Sequence, residues 1–506
     1  MASGSRALTA ITLRSRRLRA ALKIPYLKRY LNAQKHCIEL SSWHNGLSME
    51  LKDKRVLVVG LGRSGVAAAF FLQDRGARVS VSDAKSEAQL EKEIPALLDR
   101  GISLEVGHHS ERTFRDQDLI VVSPGVPSDQ PQLQHARALG IPIVGEVELA
   151  CRFLQGRIIA ITGSNGKTTT TTLAGDILGK SGKKTLVGGN IGTPVISLVG
   201  QSSPEHLVVL EISSFQLETI QQFKPWIAAI LNITPDHLDR HHTFQAYVDA
   251  KSRIFENQQA GDFALLNADD PTCTGLKNKG KAALYWFSRK QPVESGAFLR
   301  DDRIIFRNAG RETPVLPISD IQLKGAHNLE NVLAAVAVGM LAGCEPQQVR
   351  KAVAEFGGVE HRLEPAGQVN GVAYYNDSKA TNVDATIKAL ESFSGNIHII
   401  LGGKDKGSDY AVLVPLLRQR AKGAYLIGAA AEKIASQIQG ATRIVQSGTL
   451  DRALRQASEA AVAGDIVLLA PACASFDQFE NYEQRGQVFK RLVQALGTKA
   501  ERTVVS

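Results

Sequence analysis

Residues 157–178 narrow the possible folds more than any other stretch of the chain. An apolar run, Arg157-Ile158-Ile159-Ala160-Ile161, meets Thr162-Gly163-Ser164-Asn165-Gly166-Lys167-Thr168, and a threonine-rich segment then leads to Leu173, Ile177 and Leu178. Strand, glycine loop and helix start in that order form a phosphate cradle. Successive backbone N–H groups and the positive end of the helix dipole meet the anion, Lys167 adds a point charge and Thr168 is placed to hold Mg²⁺. The expected ligand is ATP, held by Gly163, Ser164, Asn165, Gly166, Lys167, Thr168 and Thr169. One departure stands out: Ile161 occupies the place where a strict phosphate loop has its first glycine. The plainer alternative is a Ser/Asn/Gly turn capping a helix beside a solvated lysine. The strand before the loop and the helix after it favour the phosphate reading.

A chain of 506 residues has room for about three domains. The net charge of +10 is misleading as a whole-chain property. Residues 1–48 hold nine Lys/Arg, among them Arg14, Arg16, Arg17 and Arg19, against the single acid Glu39. Eight of the ten net charges therefore sit there, the body is left at +2, and a nucleic-acid groove is not expected. That basic stretch has the composition of a transit peptide. The favoured expectation is instead an extension that is disordered or precedes the natural start at Met49. No run approaches the ~18 apolar residues a membrane span needs, so no membrane insertion is expected. Cys37, Cys151, Cys273, Cys344 and Cys473 are scattered without paired spacing, which fits a reducing compartment and gives no metal or disulfide framework.

Three modules follow. Residues 49–150 open with the apolar run 55–59, then Gly60-Leu61-Gly62-Arg63-Ser64-Gly65, a helix over 66–72 and a strand over 77–82 ending at Asp83. This is a Rossmann-like pattern, and the glycine spacing with an acid 18 residues on is the dinucleotide fingerprint. It reports a diphosphate beside a sugar, which NAD or a UDP-sugar would satisfy equally. Residues 151–357 carry the phosphate loop. The run 207–210 ends at Glu211, and the run 227–231 leads to Asn232-Ile233-Thr234-Pro235-Asp236-His237. Residues just past the ends of parallel strands converge on a crevice, so Glu211 and His237 are expected near Lys167 as metal or phosphate groups. Residues 358–499 give a further α/β pattern, with strands expected at 371–375, 397–401, 424–427 and 466–469. Polar clusters close three of them, at 376–382, 402–406 and 471–477; together they suggest a binding face. The fold expected is α/β in three domains: Rossmann-like, central ATPase-type and a second Rossmann-like module.

With these loops assembled, residues 49–496 resemble the Mur ligases of bacterial cell-wall synthesis, and within them the branch that adds D-glutamate. The resemblance rests on Thr162–Thr168, Glu211-Ile-Ser-Ser-Phe-Gln216, Asp236-His-Leu-Asp239 and His361-Arg-Leu-Glu364. For the branch it rests on Asp377-Ser-Lys-Ala-Thr-Asn382 and Pro471-Ala-Cys-Ala-Ser-Phe-Asp-Gln-Phe479. It implies an ADP-forming amide ligase of the bacterial cytoplasm, monomeric, with ATP and two Mg²⁺ as cofactors. Its substrates would be UDP-MurNAc-L-Ala and D-glutamate, joined through an acyl phosphate.

Residue by residue, the resemblance implies that Lys167, His237, Lys251 and Lys379 carry the chemistry. Thr168 and Glu211 would hold one Mg²⁺; His237 and a carbamylated Lys251 would hold the second. On its helical pattern alone Lys251 reads as a solvated residue. Asn328, Arg362 and Asp377 would complete the ATP site. Gly62, Arg63, Ser64, Asp83, Ser123 and Gly125 would take the UDP end, although Ala84 and Lys85 stand where a hydroxyl is expected. Asn190, Ser213, Gln216 and His237 would line the muramoyl arm. Thr381, Lys406, Ser475, Phe476 and Tyr482 would form the D-glutamate pocket. A folylpolyglutamate-type ligase shares the central module but lacks the first one. An NAD(P)-linked oxidoreductase has no use for residues 162–168, and a non-catalytic phosphate-loop switch has none for Lys251 and Lys379.

Overall fold

The computed structural model describes residues 49–323 and 325–504, with side chains to residue 497. The basic segment 1–48, Cys37 included, lies outside the described residues. From Leu51 onward the chain clusters as one unit built on three sheets.

The first sheet has the order β3-β2-β1-β4-β5 and is parallel throughout: β1 (Arg55–Val59), β2 (Arg78–Asp83), β3 (Ser103–Val106), β4 (Leu119–Val122) and β5 (Ile143–Gly145). Its central strands are apolar runs because helices cover both faces. The strand order reverses between β1 and β4, and the glycine loop opens there. The helix after it spans Arg63–Asp74, so Arg63 and Ser64 belong to its first turn rather than to the loop.

The second sheet has nine strands in the order β14-β13-β12-β11-β10-β9-β6-β8-β7. These are β6 (Arg157–Thr162), β7 (Thr185–Gly189), β8 (Leu207–Glu211), β9 (Ile227–Ile230), β10 (Phe263–Asn267), β11 (Ala283–Ser288), β12 (Gly296–Arg300), β13 (Arg303–Asn308) and β14 (Arg311–Pro317). Strands β12 to β14 pair antiparallel and extend the edge. Helices Lys167–Lys180 and Ala326–Leu341 pack together over the core formed by Ile159, Ile161, Leu173, Ile177, Val332 and Val336.

The third sheet runs β15-β16-β20-β17-β18-β19: β15 (Glu364–Val369), β16 (Val372–Asn376), β17 (Ile397–Gly402), β18 (Ala421–Ile427), β19 (Arg443–Gly448) and β20 (Ile466–Leu469). Only β15 pairs antiparallel. The strands expected from sequence recur within three residues at each end. The loops after β16, β17 and β20, adjacent strands in the sheet, lie on one edge, so their three polar clusters share a face.

Candidate functional site

The phosphate loop is held open by its own backbone. Gly166 sits at φ +83°, and a Cβ there would lie 2.1 Å from Asn331 Oδ1. Neighbouring strand ends then pin the loop: Ser164 N donates to Asn232 O at 2.9 Å, and Asn165 N donates to Asn232 Oδ1 at 2.8 Å. Lys167 Nζ donates to the carbonyls of Gly163 and Ser164, each at 2.8 Å. Burial lowers the Lys167 pKa, opposed by Glu211 and Asp236.

Thr168 Oγ1 donates to Glu211 Oε2 at 2.7 Å, and Asn190 Nδ2 donates to Glu211 Oε1 at 2.8 Å. A hydroxyl and a carboxylate converging at the start of a helix are the oxygen donors Mg²⁺ prefers, so this pair fits the cation. His237 has φ +53°, stacks edge-on against Phe215 at 4.9 Å, and is pushed down to about 4 by burial, against the pull of Asp236. The ring is therefore neutral at physiological pH and able to ligate.

Lys251 is 1% exposed, a correction to the solvated reading of its helix. It lies on helix Phe244–Ser252, whose buried side turns it inward to the loop, where Nζ donates to Gly163 O at 2.8 Å. Burial, reinforced by the charge on Lys167, drives its pKa well below the ordinary lysine value. A neutral amine in a dry site is the form that adds CO₂, so the carbamate fits here as well.

From the third sheet, Lys379 Nζ donates to Tyr482 Oη at 2.9 Å, and burial lowers the lysine pKa. Asp377 is pushed up to about 6 by burial, despite Arg362 at 3.7 Å. Its Oδ1 makes no hydrogen bond, which fits an acceptor for a ribose hydroxyl. Lys406 Nζ stands 3.7 Å from Asp236 Oδ1. Arg485 is 0% exposed and donates to Ser378 O at 2.8 Å and Cys473 O at 3.2 Å, tying the loop after β16 to the loop after β20. A backbone bridge between Lys404 and Ala474 adds the loop after β17.

Three cavities meet around these groups. One of about 340 Å³ is lined by Arg63, Ser64, the phosphate loop, Asn190, Glu211, Gln216, His237, Arg362, Lys379 and Thr381. A second, about 330 Å³, brings Lys167, Ser213, His237 and Lys251 together with Lys406, Ser475, Phe476 and Tyr482. A third, about 290 Å³, is lined by the polar Asn328, Glu360, Arg362 and Glu364 together with Leu363 and the rings of Tyr375 and Phe393, a mixed lining that suits a base. Gly62, Asp83, Ser123 and Gly125 do not line the first cavity. Asp83 accepts from Leu61 N at 2.6 Å and from Lys85 N at 2.8 Å, while Ser123 Oγ donates to Gly60 O at 2.8 Å. Both shape the glycine loop.

Asp236, Asn382, Asp384 and Arg485 take part in these contacts without a role expected from the sequence. The first two lie inside quoted motifs and Asp384 two residues beyond one. Arg485 carries no local signal.

Three family descriptions cover the three sheets in turn: the Mur ligase MurD-like N-terminal domain over 54–145, the Mur ligase middle domain over 161–339, and the Mur ligase glutamate ligase domain over 361–473. The chain belongs to the Mur ligase family. It is 62% identical over 454 residues to the UDP-N-acetylmuramoylalanine–D-glutamate ligase of Koribacter versatilis, covering 90% of this chain and 100% of that one. The ligase of the same name from Acidobacterium capsulatum is 58% identical, over 88% and 97%. Among solved Mur ligase structures the fold matches the UDP-N-acetylmuramate-alanine ligase of Thermotoga maritima (TM-score 0.57, 20% identity, 87% of this chain and 99% of that one). It also matches the MurF ligase of Thermotoga maritima in complex with ADP (TM-score 0.55, 16% identity, 89% and 97%). Among the described residues no helix is long and apolar enough to cross a membrane.

Proposed function

We propose that this Mur ligase joins D-glutamate to UDP-MurNAc-L-Ala with conversion of ATP to ADP and phosphate, in the bacterial cytoplasm as a monomer. The observation that carries the reading is the convergence of Lys167, Glu211, His237 and Lys251 with Lys379 and Lys406 around adjoining cavities. Identity of 62% across 90% of the chain to a D-glutamate-adding relative supports the choice of amino acid.

Phosphoryl transfer between two anions needs charge neutralisation and alignment more than covalent help from the protein. The phosphate loop orients the triphosphate, and Lys167 bridges its outer phosphates. Asn328 and the Tyr375–Phe393 slot take the base, and Asp377 takes the ribose. When bound, Mg²⁺ would supply electrostatic stabilisation of the transferring group, one ion held by Thr168 and Glu211 and a second by His237 and a carbamylated Lys251. Arg63 and Ser64 at a helix N-terminus take the UDP diphosphate, with Gly62, Asp83, Ser123 and Gly125 shaping that end. Asn190, Ser213 and Gln216 align the muramoyl arm so that its carboxylate faces Lys379 and is phosphorylated. The amine of D-glutamate then attacks the acyl phosphate carbon, and phosphate leaves from the tetrahedral intermediate. Lys406 pairs with the side-chain carboxylate of D-glutamate, Thr381 and Ser475 hold its α-carboxylate, and Phe476 and Tyr482 wall the pocket.

Phosphate release in the presence of UDP-MurNAc-L-Ala and one amino acid at a time tests the reading. Dependence on D-glutamate is expected. Release driven by L-lysine or diaminopimelate would assign a sister ligase instead.

A further inference from the structure

Two loop segments face each other across the mouth of the first cavity: 234–237 beyond β9 of the second sheet, and 381–384 beyond β16 of the third. Each gives a side chain to a carboxylate of the other. Asn382 Nδ2 donates to Asp236 Oδ2 at 2.9 Å. Thr234 Oγ1 donates to Asp384 Oδ2 at 3.2 Å. Each acid then gathers a second group from across the mouth: Lys406 stands 3.7 Å from Asp236 Oδ1, and Asn165 Nδ2 of the phosphate loop donates to Asp384. The exchange is reciprocal, one acid from each side.

We propose that Asp236 and Asp384 are positioning residues that clasp the third sheet onto the phosphate loop, setting Lys406 and Lys379 against Lys167 and His237. The proposal rests on the ligase reading for the identity of the amino acid that Lys406 takes; the clasp itself does not. Asp236 serves both partners at once. Its Oδ1 accepts from His237 N at 2.9 Å, so the left-handed backbone of His237 and the place of Lys406 share one anchor. Asn382 is likewise double-ended: Oδ1 caps helix Val383–Glu391 through Ala385 N at 2.8 Å, while Nδ2 crosses the mouth. Asp384 sits in the first turn of that helix, so the loop contact through Asn165 is transmitted to a whole element of the third sheet.

The geometry allows a swap. In Asp236→Asn two amide NH₂ groups face each other, and in Asn382→Asp two carboxylates do. In the double variant D236N/N382D the bond re-forms in the opposite sense. Asn at 236 still accepts from His237 N, and Asp at 382 still caps the helix. Loss of one charge-assisted bond should lower kcat/KM for D-glutamate by roughly 10- to 100-fold in D236N, mainly through KM. ADP affinity of D236N, measured by calorimetry, should stay within about threefold of wild type, because the lost bond carries no nucleotide contact. The swap should regain most of the loss. A merely structural pair would move the melting temperature of each variant while leaving the three KM values alike.

The second measurement uses small-angle scattering of the full chain without substrates. D236N/D384N, folded by circular dichroism, should have a larger radius of gyration than wild type, and D236N/N382D should match wild type. A swap no better than D236N alone in kcat/KM, or equal radii across all variants, overturns the clasp. If wild type itself shows no D-glutamate-dependent turnover, the ligase reading fails and the scattering comparison alone decides the clasp.

Discussion

Lys167 and Lys251, 84 positions apart, donate to the same carbonyl oxygen, that of Gly163, each at 2.8 Å. Two cationic side chains on one acceptor repel, and after burial the charge on Lys167 is the next cause that lowers the Lys251 pKa. Lys251 is the more buried and the more strongly shifted. A carbamate on Lys251 would turn that repulsion into attraction and give the site an oxygen ligand in place of a second cation.

Lys251→Met keeps the volume and removes the amine. Acyl-phosphate formation should fall by at least about a hundredfold, because a ligand to one cation carries several kcal/mol of charge stabilisation. Carbon-13 NMR of the folded wild-type chain in ¹³C-bicarbonate should show a carbamate resonance that is absent in Lys251→Met, and removing bicarbonate should lower turnover.

Gly166→Ala meets two obstacles at once. Its backbone at φ +83° is left-handed, which costs a β-carbon about 1 kcal/mol, and the new Cβ would lie 2.1 Å from Asn331 Oδ1. The loop must move, so ADP affinity measured by calorimetry should drop by roughly tenfold or more, well beyond the change in melting temperature.

Glu146 supplies a pH signature. It is buried, its Oε1 accepts from Ile196 N at 2.7 Å, its Oε2 has no partner, and burial raises it from 4.5 to about 7. The folded state therefore binds this proton more tightly than the unfolded one. Stability from this group is greatest below pH ~4.5, declines as pH rises towards about 7 and is level above that, losing ~3 kcal/mol in all. Denaturant melts of Glu146→Gln across that window should show a flatter pH dependence than wild type; an unchanged slope would refute the burial argument.

Arg485→Lys removes a rigid fork that spans Ser378 and Cys473. A single ammonium cannot satisfy both loops, so about 2–4 kcal/mol of stability should be lost in urea melts. The KM for D-glutamate should rise as Ser475 drifts from Thr381.

The phosphate loop, the strand-end carboxylate at Glu211 and the histidine at 237 were legible in sequence because each sits at the end of an apolar run, where chain order and space coincide. The inward aim of Lys251 was not legible. Its helix shows little amphipathic contrast, and burial comes from the phosphate loop lying across it, a contact spanning 88 residues. Arg485 joins two loops of the third sheet and the Asp236–Asn382 bond joins the second sheet to the third, and no local pattern encodes a partner 107 or 146 positions away. Asp83 has a second role that its spacing from the glycines does not convey: the carboxylate holds the loop backbone at Leu61. The antiparallel extension β12–β14 is not legible either, because edge strands carry short and mixed apolar runs.

The most direct test of phosphoryl transfer to the substrate acid uses UDP-MurNAc-L-Ala labelled with ¹⁸O in its terminal carboxylate. Turned over with ATP and D-glutamate, it should release inorganic phosphate carrying one ¹⁸O per amide formed. Phosphate without label, or label release independent of ATP, would contradict the account.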